Sequence, residues 1–125
     1  MATTKIWKIK NRFDAVIEYI SNKDKTDNKK YVTGINCMAN IAYKEMSITK
    51  EQFNKTGGIL GFHAYQSFKG CEVTSDEAHE IGIRLAEELW GDRFQVIVAI
   101  HTNTKNVHNH FFINSVSFLD GKKIL

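Results

Sequence analysis

Residues 94–114 read Phe-Gln-Val-Ile-Val-Ala-Ile-His-Thr-Asn-Thr-Lys-Asn-Val-His-Asn-His-Phe-Phe-Ile-Asn. Phe94 to Ile100 is a nearly continuous apolar run of strand length, the pattern of a central strand buried on both faces. Val107 to Phe118 reads as a second long strand. The turn between them, Thr102 to Val107, is short enough to lay the two strands side by side.

Upstream, Thr74-Ser-Asp-Glu77 is a capping box, in which the Thr74 hydroxyl and the Glu77 carboxylate satisfy each other's backbone N–H groups. Ala78, Ile81, Leu85 and Leu89 form the expected core stripe of the helix it starts, and Gly91 stops it. Phe62 to Phe68 alternates, with Phe62, Ala64 and Phe68 on one side and His63, Tyr65 and Ser67 on the other, which is a half-buried strand. Met38, Ala42, Met46 and Phe53 share a helical face that ends at Gly57-Gly58. Tyr31 to Cys37 reads as a strand broken by Gly34, and Lys23 to Lys30 as a polar loop with four lysines. Phe13, Val16, Ile17 and Ile20 fall on one helical face. Tyr19 lies about 110° from the centre of that stripe, at its edge or outside it. Lys5 to Lys10 is a short strand. The order β-α-β-α-β-α-β-β predicts an α+β fold, a largely antiparallel central sheet flanked by helices.

Chemistry concentrates in the same stretch. Three of the five histidines, His101, His108 and His110, lie within ten residues. His108 and His110 are two apart, so a strand puts both on one face, and His101 ends the neighbouring strand. Three neutral imidazoles with open positions are the donor set of a catalytic metal site. Asn114 shares the face of His108 and His110. The four tyrosines, Tyr19, Tyr31, Tyr43 and Tyr65, are all packing candidates. Tyr65 stands on the polar face with His63 and Ser67, and Tyr19 is set apart by its position off the stripe beside the lysine loop. His63, facing with Ser67, reads as a structural histidine or one near the site, His79 as a surface residue of the capped helix, and Trp7 and Trp90 as core or edge packing.

The block from His101 to Asn114 resembles the third motif of relaxases, the HUH-type single-strand nucleases of plasmid mobilisation and conjugative transfer. Ala15-Val-Ile-Glu-Tyr-Ile-Ser-Asn22, followed by Lys25-Thr26, resembles the first motif. His63-Ala-Tyr-Gln-Ser-Phe68 with Glu72-Val-Thr resembles the second, and Thr33-Gly-Ile-Asn-Cys37 also looks familial. The resemblance runs in order over nearly the whole chain and is greatest to the MobA/VirD2-like relaxases of Gram-positive plasmids and integrative elements. It implies the HUH endonuclease fold, with residues 1–125 as the N-terminal part of a relaxase catalytic domain. Tyr19 would attack the scissile phosphate to form a 5′-phosphotyrosine. His101, His108 and His110 would hold a divalent metal, Mg or Mn. Ser67 would position DNA. Read from their own chemistry, Lys23, Lys25, Lys29 and Lys30 either guide its phosphate backbone or make up a solvated loop. Read from the residues themselves, Glu72 is a turn carboxylate or a group that orients a ligand histidine, and Asn103 is placed to orient one. Many members carry an aspartate where Asn103 stands, and an amide orients a histidine without supplying charge. The implied partners are single-stranded DNA at a transfer origin, accessory relaxosome proteins and a coupling protein. The alternative is a DNA-binding module or decayed relaxase fragment without catalysis. A replication-initiating HUH nuclease would often carry its tyrosine downstream of the histidines, whereas here the candidate precedes them.

Bulk properties agree with a single soluble domain. The chain has 125 residues, 42% hydrophobic and 25% charged, with net charge +3, which permits contact with phosphate without demanding it. Two cysteines, Cys37 and Cys71, are a poor disulfide framework and point to a reducing compartment. No signal peptide or membrane segment is evident, and a cytoplasmic location is expected. HExxH, P-loop and GxGxxG patterns are absent, which disfavours metalloprotease, NTPase and dinucleotide chemistry. The sequence closes on Asp120-Gly-Lys-Lys-Ile-Leu125, a turn followed by what reads as the start of another element.

Overall fold

The computed structural model describes residues 2–68, 73–102 and 106–124. Its elements are β1 (Ala2–Ile9), α1 (Phe13–Ile20), β2 (Val32–Ile35), a 3-10 turn (Ala39–Ile41), α2 (Ala42–Gln52), β3 (Gly61–Phe68), α3 (Ser75–Trp90), β4 (Val96–His101) and β5 (His108–Asn114). The strands form one sheet in the order β1-β3-β5-β4-β2, and each neighbouring pair is antiparallel. This is the expected α+β arrangement. None of the described helices is long and apolar enough to cross a membrane.

Helices cover both faces, giving three layers. On one face Phe13, Ile17 and Ile20 of α1 and Ala42 and Met46 of α2 pack on Ile97, Ala99 and Phe112. On the other, α3 packs on Phe62, Ala64, Val96, Val98, Phe111 and Ile113. Every residue of β4 is buried, so its apolar run faces protein on both sides.

Four expectations are corrected. The buried face of α3 is Ala78, Gly82 and Ala86, while Ile81 and Leu89 are exposed. The reason is a close approach to β5: a Cβ on Gly82 would meet the Asn109 side chain at 2.7 Å, and Asn109 Nδ2 donates to the Ala78 carbonyl at 2.7 Å. Small residues therefore face the sheet and the large ones turn outward. Gly34 does not break β2 but lies within it, where a side chain would collide with the Cys37 carbonyl. β5 ends at Asn114, short of Phe118, because the backbone beyond it turns back on itself, with Val116 paired to Lys123 and Ser117 N donating to the Lys122 carbonyl. Met38 is exposed ahead of α2 rather than on its buried face. The capping box forms as expected, with Glu77 N donating to Thr74 Oγ1 at 3.1 Å and Thr74 N to Glu77 Oε1 at 3.0 Å.

Candidate active site

The sheet register assembles the site. His101 lies directly across from His108 on the β4–β5 pair. Residues paired across strands share a face, and so do residues two apart on one strand, so His101, His108 and His110 all project toward the α1 side. Asn109, between the last two, is buried on the opposite face beneath α3. The rings of His101 and His110 stack with centroids 3.9 Å apart; those of His108 and His110 are 6.2 Å apart.

β3 adds a second row. It pairs with β5 so that Tyr65 faces His110 and Ser67 faces His108. His63, one step along, brings its Nε2 to 3.0 Å from His110 Nδ1. The period-2 pattern of β3 put His63 on the polar face, but only the pairing of β3 with β5 brings it to His110.

The tyrosine comes from α1. Its buried stripe sits on the sheet, and Tyr19, on the flank of that stripe, is 48% exposed. Its ring meets His101, His110 and His63 edge-on at 5.6, 6.1 and 6.5 Å. His101 Nε2 lies 2.9 Å from the carbonyl of Ile20, one of the carbonyls the helix end leaves without an internal partner. A carbonyl only accepts, so Nε2 carries the proton and the neutral ring keeps its Nδ1 lone pair. That bond ties the helix carrying Tyr19 to the strand carrying His101.

Burial is the first cause of a lowered pKa in His63, His101, His108 and His110. It is strongest at His110, pushed down to about 2, where the neighbouring His101, His63 and His108 add to burial. All four rings are neutral at neutral pH.

The lysine loop is a folded turn rather than a loose strand of charge. Buried Thr26 anchors it, with Oγ1 donating to the Asn22 carbonyl at 2.8 Å and accepting from Lys29 N at 3.1 Å. Thr102 N donates to the Lys25 carbonyl at 2.7 Å, fixing Lys25 beside the end of β4. Its Nζ lies 4.3 Å from the Tyr19 ring centroid. Lys30 instead lies over Tyr31, at 5.2 Å, and Lys23 and Lys29 are exposed. Of the four lysines, only Lys25 is seen to reach the tyrosine. Glu72, Asn103 and Cys71 lie outside the described residues.

The rival tyrosines are accounted for. Tyr31 OH donates to Asp76 at 2.7 Å beside α3, and Tyr43 packs on Phe13. Tyr65 stacks on Trp7 at 5.4 Å and on His110 at 5.9 Å. His79, read as a surface residue without a role, is half-buried and bonded to Thr33 Oγ1 at 2.8 Å.

The structure thus sets an exposed tyrosine over a bed of strand histidines, and comparison with known proteins identifies the family. Residues 19–125 match the relaxase family described as MobA/VirD2-like, nuclease domain. The chain is 37% identical over 123 residues to the Rlx protein of Staphylococcus aureus, covering 98% of the chain and 35% of that protein. It is 30% identical over 132 residues to the group II intron-interrupted relaxase LtrB of Lactococcus lactis subsp. cremoris, covering 84% of the chain and 23% of that protein. The chain belongs to the MobA/VirD2-like relaxase nuclease domain family. It spans about a third of the length of the Rlx relatives.

The residues of this relaxase domain fit a divalent metal in donor chemistry. Neutral imidazole is the ligating form. His101 has Nδ1 free of its bond to Ile20, and with Nδ1 of His110 bonded to His63, His110 presents Nε2. Among the described residues no group of three or more His, Cys, Asp or Glu already stands in place to hold an ion.

Proposed function

We propose that this relaxase domain, residues 1–125, is the catalytic part of a site- and strand-specific nickase that cuts single-stranded DNA at a transfer origin through a 5′-phosphotyrosine. One observation carries the reading: the exposed Tyr19 ring stands edge-on to His101, His110 and His63 within 6.5 Å.

In the proposed step the Tyr19 oxygen attacks phosphorus, a new P–O bond forms to the phenol, and the bond from phosphorus to the 3′-oxygen breaks. The phenol gives up its proton and the 3′-oxygen gains one, so the products are a tyrosine-linked 5′ end and a free 3′-OH. Bond energy is kept in the phosphotyrosine, and religation needs no nucleotide triphosphate. Lys25, stapled through its carbonyl to Thr102, places a positive charge beside Tyr19 where the scissile phosphate must come. The bond from His101 to Ile20 holds the tyrosine helix at a set distance from the ligand strands, which is the positioning such a displacement needs. Ser67, across from His108, contacts the strand further along the same face, and Lys23, Lys29 and Lys30 add charge for its backbone.

A divalent cation, Mg or Mn, held by His101, His108 and His110 would neutralise charge developing on the phosphate oxygens. Asn103 and Glu72 orient these ligands in the proposal. Single-stranded origin DNA, accessory relaxosome proteins and a coupling protein are the proposed partners, in the cytoplasm.

The test is a denaturing-gel assay for covalent adducts on oligonucleotides tiled across the source element's transfer region, with Mn²⁺, with chelator and with Tyr19→Phe. A shifted band that requires both metal and Tyr19 is expected. A band that survives Tyr19→Phe removes Tyr19 from the nucleophile role. DNA binding indifferent to chelator, with no adduct on any oligonucleotide, replaces the nickase with a DNA-binding module.

A further inference from the structure

Trp7 has a place that core packing does not explain. It stands on the edge strand β1, directly across from His63, and is 45% exposed. Its indole stacks on Tyr65, with centroids 5.4 Å apart and planes 18° from parallel, and lies 5.4 Å from His63. Tyr65 in turn stacks on His110 at 5.9 Å and 26°. These rings pave the sheet face under Tyr19 from the histidines outward to the edge. α1 and α2 pack over Ile97, Ala99 and Phe112 of the β4–β5 half, and the outer face of Trp7 is left in water. Lys5, paired with Tyr65 on the same face, is also exposed.

A large exposed aromatic surface continuous with a site marks an interaction surface. Proteins that hold single-stranded DNA combine cationic groups for the backbone with aromatic faces on which bases stack. We propose that Trp7, backed by Tyr65, is a stacking platform for one nucleobase of the DNA strand flanking the scissile phosphate, with Lys5 on an adjacent backbone phosphate. The proposal rests on the reading of this chain as an enzyme of single-stranded DNA. β1 lies two strands from β5, about 10 Å at the usual strand spacing. At the ~3.4 Å rise of a stacked strand the base belongs within about three nucleotides of the cut.

The test uses Trp7 as its own reporter. Trp90→Phe leaves Trp7 as the only indole, since the chain has two tryptophans. That protein is titrated with an oligothymidylate and with an abasic oligonucleotide of equal length and charge, binding being followed by dye anisotropy. Thymidylate is expected to quench Trp7 emission, and the abasic strand to bind more weakly without quenching. Trp7→Ala is expected to weaken thymidylate binding by roughly 5- to 150-fold, the range for loss of one stacked base, and to leave abasic binding unchanged. Trp7→Phe should restore much of the loss, and it keeps the comparison open if the alanine variant fails to fold. Thymidylate binding without any change in Trp7 emission overturns the platform, as does an equal loss for both strands. Quenching that persists where no Tyr19-dependent adduct forms counts against the nickase reading alone.

Discussion

At the scale of the residue, neighbours on three elements decide what each histidine does. His101 is fixed in one tautomer by the Ile20 carbonyl, and His110 shares a hydrogen bond with His63. His108 is the most loosely held of the proposed ligands, half-buried and in only peripheral ring contact with Tyr65 and His110. It is therefore the ligand whose removal separates metal binding from folding. Mn²⁺ is expected to raise the melting temperature of the wild-type domain, because a ligand that binds only the native state stabilises it by mass action. His108→Ala should remove most of that rise while changing metal-free stability by about 0.5 kcal/mol or less, as partly exposed substitutions do. Thermal melts with Mn²⁺ and with chelator check it, and an undiminished rise takes His108 out of the ligand set. Tyr19 is half in water, so Tyr19→Phe should cost the covalent adduct and leave melting temperature and DNA affinity nearly unchanged.

At the scale of the element, α2 carries the least expected side chain. Lys50 is 3% exposed, with its Nζ bonded to Asn114 and lying 4.4 Å from the Phe13 ring centroid. Burial, with a smaller push from Lys123, lowers its pKa from 10.5 to about 7. Between those values the unfolded chain binds a proton at Lys50 that the folded chain lacks, so stability rises with pH across that window. Below about pH 7 both states are protonated and this pH dependence vanishes. Lys50→Met should flatten the rise in melting temperature between pH 7 and pH 9. An unchanged slope would mean that Lys50 keeps its charge in the fold. Asn114, expected on sequence grounds to share the face of His108 and His110, does so at the far end of β5. There it serves this buried network of Lys50, Gln95 and the Met46 carbonyl.

At the scale of the whole molecule, one sheet with helices on both faces leaves no boundary at which the described residues divide. β4 belongs to every core cluster, and β5 to the clusters on both faces of the sheet, so loosening either face exposes the same strands. Unfolding should be one cooperative transition. Far-ultraviolet circular dichroism and tryptophan fluorescence should give the same midpoint, although Trp7 and Trp90 lie on opposite faces of the sheet. Two separate midpoints would mean that the layers fold independently.

The element order, the apolar β4, the α3 cap and the shared face of the histidine trio were all written in the sequence. Each depends on local pattern: period, capping spacing, and residues two apart on one strand. The off-stripe position of Tyr19 was legible for the same reason. The strand order β1-β3-β5-β4-β2 was not, because sequence spacing does not say which strands pair. That pairing alone set His63 against His110 and laid Trp7 and Tyr65 beside the histidines, while the bond from Thr102 to the Lys25 carbonyl sent Lys25 rather than Lys30 to the tyrosine. The small-residue face of α3 was hidden likewise. Hydrophobicity favours Ile81 and Leu89 for the core, but the space over Asn109 admits only the Cα of Gly82, and close packing outweighed apolar character.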